Sequence, residues 1–499
     1  MKRPYHCSFR RLAGFGRLGM PGLKGSLATL WLAPFLASTL TVCSAMAAEP
    51  GSEELARSVS ADVPVARPIT LADALAYAHA HQPAIQASLA RVRTEEANAR
   101  VPRAEWEPTV GATAQIFAAT SNNTTAMYVV PDDMALPRIG GTTAVSPSGA
   151  RWTPYPSTIV GASVLQEVFD FGRIAAASAA ADARVDIRKH GSDADRLDVD
   201  LGVEEAYFAV FAAKGVLKAS EDAYQRTKTH RDLAQKGVDS GLRSPIELTR
   251  AEADLSRYDI GRLRARGGLL VAQSVLAASI GAPELSLDVS GPAPAAASLP
   301  SLASAIQTAA ARDPLVLEAL ARLQAQEKTT AAIGARLRPD LLATGTLSGR
   351  AGGATSGDAA AITGGGFLPD VPNWDVGLVL SWTLFDGVTL ARRNASEVEE
   401  DVQKEEVALY KERQVAEIEE AYVRASVANA VLPALRSAAA GAVANYAQAD
   451  ARFQAGLGNA VELADAEALR TDADVQLALG VFAIARARAV FGRAIAEGL

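Results

Sequence analysis

Residues 241–248 read GLRSPIEL and residues 456–463 read GLGNAVEL. Each stretch opens with a glycine and a leucine, continues with a residue that often caps helices, and places a glutamate three positions after that residue. A glycine in the left-handed conformation is a common way to end the preceding helix. The pattern therefore predicts two tight turns between helices. Its glycines, capping residues and glutamates are Gly241, Gly456, Ser244, Asn459, Glu247 and Glu462.

The two turns belong to a longer internal duplication. The segment that begins at Leu71 aligns with the segment that begins at Leu302 at a constant offset of 231 residues, and the two turns are offset by 215 residues. The coinciding pairs include Pro83 with Pro314, Pro108 with Pro339, and Phe169-Asp170 with Phe385-Asp386. The duplication predicts a first repeat at 70–290, a linker at 291–300 and a second repeat at 301–499.

Each repeat predicts one helix, two strands and a long helical hairpin. The strands are indicated by side chains that alternate between apolar and small or polar, as from Val376 to Leu384. Such segments fit barrel strands with a wet interior, but a soluble sandwich with one buried face has the same alternation. The predicted helices are 70–104 and 301–335, the strands about 107–118, 157–169, 338–349 and 373–385, and the hairpins 172–281 and 388–497.

The hairpins favour the barrel. No proline lies between Gly172 and Gly237, so a helix of roughly 65 residues, about 100 Å long, fits there. Apolar residues recur at a spacing near 3.5, which is typical of a coiled coil. Helices of this length need neighbours along their whole length, and the open edges of a four-stranded sheet are not tolerated in lipid. Three chains would supply about twelve strands and close the barrel.

The first 47 residues predict a signal peptide, which is followed by an N-terminal extension at 48–69. Six basic residues accompany the apolar segment LATLWLAPFLASTLTV, and SAMAAE offers small residues for cleavage. Both cysteines, Cys7 and Cys43, fall inside this peptide, so we expect the exported chain to have no disulfide framework and no thiolate metal site.

Charge and hydropathy exclude two further classes. Removing the six basic residues changes the net charge from −7 to −13, which disfavours a nucleic-acid partner. After the signal peptide there is no run of 18 consecutive apolar residues, so we expect no membrane-spanning helix. The exported chain is then either soluble or spans a membrane as a β-barrel.

The ordered pattern resembles the TolC-type outer-membrane efflux protein family over essentially the whole mature chain. The motifs that carry the resemblance are the duplicated opening LxxAlxxAxxxxP, the proline before each first strand, Phe-Asp after each second strand, and AxFxxGLxxxxEL at the second turn. The resemblance implies an α+β membrane protein, a homotrimer with a twelve-stranded transmembrane β-barrel that continues into a long periplasmic α-helical coiled-coil barrel.

The resemblance also implies a function. Members are exit ducts in the outer membrane of Gram-negative bacteria, and they dock on a periplasmic adaptor, a membrane fusion protein, that joins them to an inner-membrane transporter. Drug efflux and type I protein secretion are not distinguished by these residues. The alternative is a soluble periplasmic coiled-coil adaptor or scaffold, which we expect to have one helical hairpin flanked by β-rich halves rather than two hairpins.

Under the resemblance the two turns are the periplasmic tips of the duct. Acids there face the pore axis and close it, and a glycine-leucine pair at each tip contacts the adaptor. The gate acids carried over are Glu247, Glu462 and Asp465, and the adaptor contacts are Gly241, Leu242, Gly456 and Leu457. Helix capping by Ser244 and Asn459 is the competing explanation for both turns.

One of the three acids is not explained by capping, and the family's latch is altered. Asp465 takes no part in any cap, and its spacing from Glu462 places both carboxylates on one helix face. The family's latch positions, an arginine and a tyrosine, are occupied here by Gly458 and Phe453, and Arg243 is a candidate replacement. No Ser-His-Asp arrangement, phosphate loop or metal-ligand spacing is present, so we expect neither an enzyme nor a bound metal or cofactor.

Overall fold

The computed structural model describes four stretches of the chain. They are residues 67–120, 154–292, 298–352 and 371–498. The chain divides into two units, Met1–Asp62 and Val63–Leu499, and all described residues belong to the second. The predicted signal peptide at 1–47, most of the extension at 48–69 and both cysteines lie outside the described residues.

The elements of the described unit follow the duplication. The first repeat contains β1 (Arg67–Ile69), α1 (Leu71–His81), α2 (Pro83–Asn98), α3 (Val101–Ala104), β2 (Thr109–Thr120), β3 (Pro154–Phe169), α4 (Arg173–Asp239), α5 (Pro245–Ser279) and β4 (Leu287–Val289). The second contains α6 (Leu302–Ala310), α7 (Pro314–Ala335), β5 (Asp340–Gly352), β6 (Val371–Ser381), α8 (Gly387–Gln454) and α9 (Ala460–Ala494).

The predicted helix 70–104 divides into α1, α2 and the short α3, and the predicted helix 301–335 divides into α6 and α7. The first break in each falls at Gln82 and Asp313, whose ψ angles of 120° and 115° are extended rather than helical. Each of these residues precedes a proline, which disfavours the helical conformation of its predecessor and has no N–H to donate. The side chain of Asp313 then caps α7 by accepting a hydrogen bond from the N–H of Leu315 at 2.9 Å.

Four strands form one antiparallel sheet in the order β2-β3-β5-β6. Thr113 pairs with Gly161 and Thr344 pairs with Gly377, so small residues lie side by side along the sheet. The last strand ends at Ser381, four positions before the end of the strand predicted at 373–385. Within the described residues, β2 and β6 are the edges of the sheet, and each has a pairing neighbour on one side only.

A short parallel pair, β1 with β4, was not predicted. The strands are three residues each, too short to show a sequence period, and the first lies in the segment assigned to the N-terminal extension. Tyr207 of α4 donates a hydrogen bond to the carbonyl oxygen of Ser290 at 2.6 Å, just after β4. Val203, Leu276 and Ile280 pack in the same buried cluster, which joins this pair to the hairpin of α4 and α5.

The four long helices lie side by side in the order α5, α4, α9, α8. The hairpins α4–α5 and α8–α9 are joined by packing of α4 against α9. Helices α4 and α8 have 67 and 68 residues, or about 100 Å each at 1.5 Å per residue. Pro433 lies inside α8 without ending it. This arrangement places both turns at the same end of the hairpins.

Two of these helices have apolar surfaces that the chain itself does not cover. Helices α8 and α9 each contain an 18-residue window with mean hydropathy of 1.3 and 1.4, of which 17% and 22% is buried. By length and composition alone both helices could span a membrane, but two such helices are weak evidence that they do. The low buried fractions show that much of the apolar surface of this hairpin faces outward in the single chain.

Candidate functional site at the hairpin tips

The two turns end their first helices with the same backbone motif. In the first turn the N–H of Gly241 donates to the carbonyl of Val238 and the N–H of Leu242 donates to that of Gly237. The second turn repeats these bonds at Gly456 and Leu457. The φ angles of the two glycines are +71° and +74°, a left-handed conformation that costs a side-chain-bearing residue roughly 1–2 kcal/mol. The backbone conformation therefore favours glycine at both positions.

The two turns begin their second helices differently. The side chain of Asn459 accepts a hydrogen bond from the N–H of Glu462 at 2.8 Å, so Asn459 caps α9. Ser244 occupies the corresponding position before α5, but its hydroxyl makes no capping bond. The N–H of Glu247 donates instead to the carbonyl oxygen of Ser244 at 3.0 Å. Ser244 is therefore the N-cap residue of α5 by position, but its hydroxyl does not make the predicted capping bond, because the backbone already satisfies the N–H of Glu247.

Two of the three predicted gate acids are paired with arginines of their own hairpins. Glu247 lies 3.3 Å from Arg243, and Glu462 lies 3.1 Å from Arg452 across the second turn. Asp465 is exposed on α9 and has no ion pair or hydrogen bond to another described residue. Local spacing does not predict the pair of Arg452 and Glu462, because ten positions along the chain separate them and only the turn brings them together.

Arg243 also connects the two hairpins. Its guanidinium carbon lies 4.0 Å from the ring centroid of Phe453, and the ring is buried. A cation over an aromatic face is attracted by about 0.5–2 kcal/mol. Gly237 leaves the space that the arginine occupies, since a Cβ there would lie 2.6 Å from Cδ of Arg243. The structure thus brings the candidate latch residue Arg243 onto Phe453, the residue that occupies one of the family's latch positions.

A second connection between the hairpins lies deeper, beyond the turns. Arg226 of α4 donates two short hydrogen bonds to the carboxylate of Glu467 in α9, at 2.9 Å and 2.7 Å. Glu467 is only 3% exposed and accepts a further bond from Thr471 at 3.0 Å. Since Arg226 and Glu467 are distant in sequence and belong to different repeats, no local spacing could reveal this pair.

Tyr446 of α8 completes the deeper connection. The guanidinium carbon of Arg470 lies 4.9 Å from its ring centroid and that of Arg226 lies 5.5 Å away. Burial, followed by the nearby carboxylates of Glu467 and Asp450, raises the pKa of Tyr446 to about 12, so its hydroxyl remains protonated. Tyr446 can therefore serve as a hydrogen-bond donor at any physiological pH.

The outermost residues of the tips are apolar. Leu242 is 84% exposed and Leu457 is 75% exposed, and Ile246 beside the first turn is 73% exposed. These side chains make up an apolar surface at the end of the hairpins. The described residues contain no group of histidines, cysteines and acids placed to hold a metal ion.

Comparison with known proteins identifies one family that matches both repeats. The family model for the outer membrane efflux protein matches residues 74–282 and 305–489, which are parts of both repeats. No curated protein gives a significant match.

Solved structures with a similar fold are outer-membrane channels. The outer-membrane channel OprN is 19% identical, with 86% of this chain and 90% of that chain covered and a TM-score of 0.66. The outer membrane protein VceC of Vibrio cholerae is 16% identical, with coverage of 85% and 95% and a TM-score of 0.65. The open state of the MtrE outer membrane channel of Neisseria gonorrhoeae is 17% identical, with coverage of 86% and 89% and a TM-score of 0.64. The predicted fold class, barrel strands continuous with long helical hairpins, is confirmed.

Proposed function

Because the chain belongs to the outer membrane efflux protein family, and so is an outer-membrane duct with a periplasmic helical part, we propose that three copies form one pore gated at the hairpin tips. The observation that carries the duct function is the family match over both repeats, 74–282 and 305–489. The alternative function, a soluble periplasmic coiled-coil adaptor or scaffold, is not supported, since the chain has two hairpins in tandem and a channel fold.

The sheet edges support the trimer. Strands β2 and β6 each have one unpaired edge among the described residues, and an unpaired edge in lipid costs several kcal/mol for each bare backbone group. Pairing β6 of one chain with β2 of the next satisfies both edges. Three chains then close a barrel of about twelve strands, an even number as is usual in bacterial outer-membrane barrels.

The helix edges support the same arrangement. A groove of about 610 Å³ between α8 and α9 is lined mainly by apolar side chains, with Arg424 and Arg486 among them, and α5 at the opposite edge of the chain also exposes apolar residues. Packing α8 of one chain against α5 of the next buries both surfaces. The exposed apolar residues concerned are Val423, Val427 and Val431 on α8, and Ile260, Val271 and Val275 on α5.

We assign the gate to the tip acids. Glu462 and Asp465 are three positions apart on α9, so a threefold axis would place them in two successive rings of carboxylates. Such rings favour cations. Arg243 holds the closed tip by pairing with Glu247 and stacking on Phe453. Arg452 offsets part of the charge of Glu462, so the ring at Asp465 carries the greater unbalanced charge.

The exposed leucines suggest how the duct finds its partners. Leu242 and Leu457 protrude at the tips, where a periplasmic adaptor linked to an inner-membrane transporter would approach. Exposed apolar patches commonly mark protein–protein contacts. The tips therefore combine an apolar docking surface with the acids of the gate.

The test is the conductance of the purified protein in a planar bilayer, wild type beside Glu462→Gln/Asp465→Asn. We expect a small cation-selective conductance, and a loss of cation selectivity in the double variant. The matched control is Glu95→Gln/Glu96→Gln in α2, which changes the net charge equally but lies far along the chain from the tips. An equal change in both variants would contradict the gate, and absence of any conductance would contradict the duct.

A further inference from the structure

His230 of α4 lies where all four long helices meet near the tips. It lines a small cavity of about 50 Å³ whose other walls come from α5, α8 and α9. Its Nε2 lies 2.7 Å from the hydroxyl of Tyr446 in α8, and its ring packs edge-on against Phe453. The imidazole thus forms a direct polar contact between the first hairpin and the second.

Charged groups surround this contact on every side. On α8, Asp450 has an oxygen 3.9 Å from Nδ1 of His230, and this oxygen is buried without a hydrogen-bond partner in the part of the chain described. The hydroxyl of Tyr446 belongs to the same helix. The other charged groups on the packed elements are Arg226 on α4, Glu467 and Arg470 on α9, and Glu247, Arg250 and Asp254 on α5.

The packed arrangement favours the neutral imidazole. Burial lowers the pKa of His230, and this effect outweighs the carboxylates of Asp450 and Glu467, which act in the opposite direction. Arg226 opposes a further positive charge as well. A neutral ring accepts a hydrogen bond from the Tyr446 hydroxyl, which remains protonated and so can donate.

We propose that the His230–Tyr446 contact is a proton-dependent latch, which holds the two hairpins together when His230 is neutral and releases them when His230 is protonated. The proposal rests on the gated duct proposed above and adds a condition for its opening. It also differs in position from the contact of Arg243 with Phe453, which lies at the turn itself.

The sign of the pH dependence follows from the burial. If the hairpins separate, the ring becomes solvated and its pKa returns towards the ordinary value near 6.5. The separated state then binds more protons than the packed state as the pH falls below that value, so acid favours separation. The stabilisation by this contact is fully present above about pH 6.5 and is lost as the pH falls towards the lowered pKa. One proton per chain limits the effect to about tenfold per pH unit for each chain.

The test compares the conductance at about pH 7.5 and about pH 5.5, a range in which histidine titrates. The measurement uses the Glu462→Gln/Asp465→Asn background, so that these two tip acids do not contribute. We expect conductance to rise with acid in this parent and to stay flat when His230→Gln is added, since glutamine does not titrate. The matched control is His190→Gln, a partly buried histidine of the same helix that is 4.0 Å from Asp193, and we expect it to keep the rise.

A second variant covers failure of the first to assemble. Tyr446→Phe keeps the histidine and removes its partner, so the conductance at neutral pH should already approach the acidic value of the parent. The proposal is overturned if His230→Gln keeps the rise with acid, or if Tyr446→Phe behaves as the parent does. A parent that conducts without any pH response also overturns it while leaving the duct intact, whereas a wild type that never conducts refutes the duct itself.

Discussion

At the scale of single residues, Arg243 makes two contacts at the tips. It pairs with Glu247 in its own hairpin and stacks on Phe453 of the other. The ion pair is partly exposed and contributes little, whereas the stacking contact is shielded by the buried ring. In the gate proposed above, Arg243 of the first tip takes the role of the family's latch arginine, whose position in the second tip is occupied by Gly458.

We expect Arg243→Ala to open the duct. Loss of the stacking contact and the ion pair removes about 1–2 kcal/mol per chain, which corresponds to an increase of roughly 5–30-fold in the open population. Single-channel recording measures this as a higher open probability. Arg257→Ala is the control, because Arg257 is an exposed arginine of the same hairpin whose partners among the described residues, Asp254 and Tyr258, both lie within α5. An Arg243→Ala channel as closed as the wild type would show that the stacking contact does not hold the tip.

Residue roles at the tips were only partly predictable. The glycines and Asn459 follow from local backbone rules, which sequence expresses directly. Ser244 occupies the same cap position, but its hydroxyl makes no capping bond, because its own backbone carbonyl accepts the hydrogen bond from the N–H of Glu247. The pairs Arg243 with Phe453 and Arg226 with Glu467 depend on how the two hairpins pack against each other. A single sequence does not show which residues of two separate hairpins come into contact.

At the scale of elements, the buried pair of Arg226 and Glu467 joins α4 to α9. Buried ion pairs contribute little when both charges are present, but removing one leaves the other unpaired at a cost of about 3–5 kcal/mol. Glu467 is almost completely buried and keeps only the hydroxyl of Thr471 as a further described partner. We therefore expect the pair to specify which faces of the two helices meet more than it adds to their stability.

A double-mutant cycle tests this reading. We expect Arg226→Met and Glu467→Leu each to destabilise the helical part, and the double variant to recover most of the loss, because two apolar side chains replace two charges of similar volume. Urea unfolding followed by circular dichroism measures the three free energies of unfolding. Losses that simply add would mean that the two side chains act independently. Lys404→Ala, on the exposed face of α8, should leave the unfolding free energy nearly unchanged.

The elements themselves were well anticipated where they are long. A hairpin of more than a hundred residues repeats its apolar spacing many times, and an alternating strand such as β6 shows its period over several residues. The parallel pair β1 and β4 offers three residues in each strand and no period. The sequence shows Pro83 and Pro314, but the apolar pattern continues past them and so predicted one unbroken helix in each repeat. In the structure the prolines force the preceding residues, Gln82 and Asp313, into extended conformations that break the helices.

At the scale of the whole molecule, the uncovered edges of one chain define its assembly. Among the described residues the sheet ends at β2 and β6, and the row of long helices ends at α5 and α8, so the sheet and the helices each leave two edges for neighbouring chains to cover. A head-to-tail contact of this kind closes into a ring when the rotation allows it.

We expect Val427→Asp to prevent assembly. Val427 is 56% exposed in the single chain and lies in the apolar groove of α8 and α9. Burying an unpaired carboxylate against a neighbouring helix costs more than the roughly 1.5–3 kcal/mol that a buried valine contributes. Native gels or light scattering in detergent would show monomers. Gln448→Asp, an exposed polar position of the same helix, should remain trimeric, and a trimeric Val427→Asp protein would place the interface elsewhere.

The uncovered strand edges have a genetic consequence. A ring closes only if each of its chains pairs through both edges. A chain that has lost one edge can still pair with a neighbour through the other edge, and its presence then prevents the ring from closing. If half of the chains in a cell carried such a defect, roughly one ring in eight would contain only sound chains. A defective allele expressed beside the normal one should therefore be dominant, and cells that carry both should behave almost as if the duct were missing.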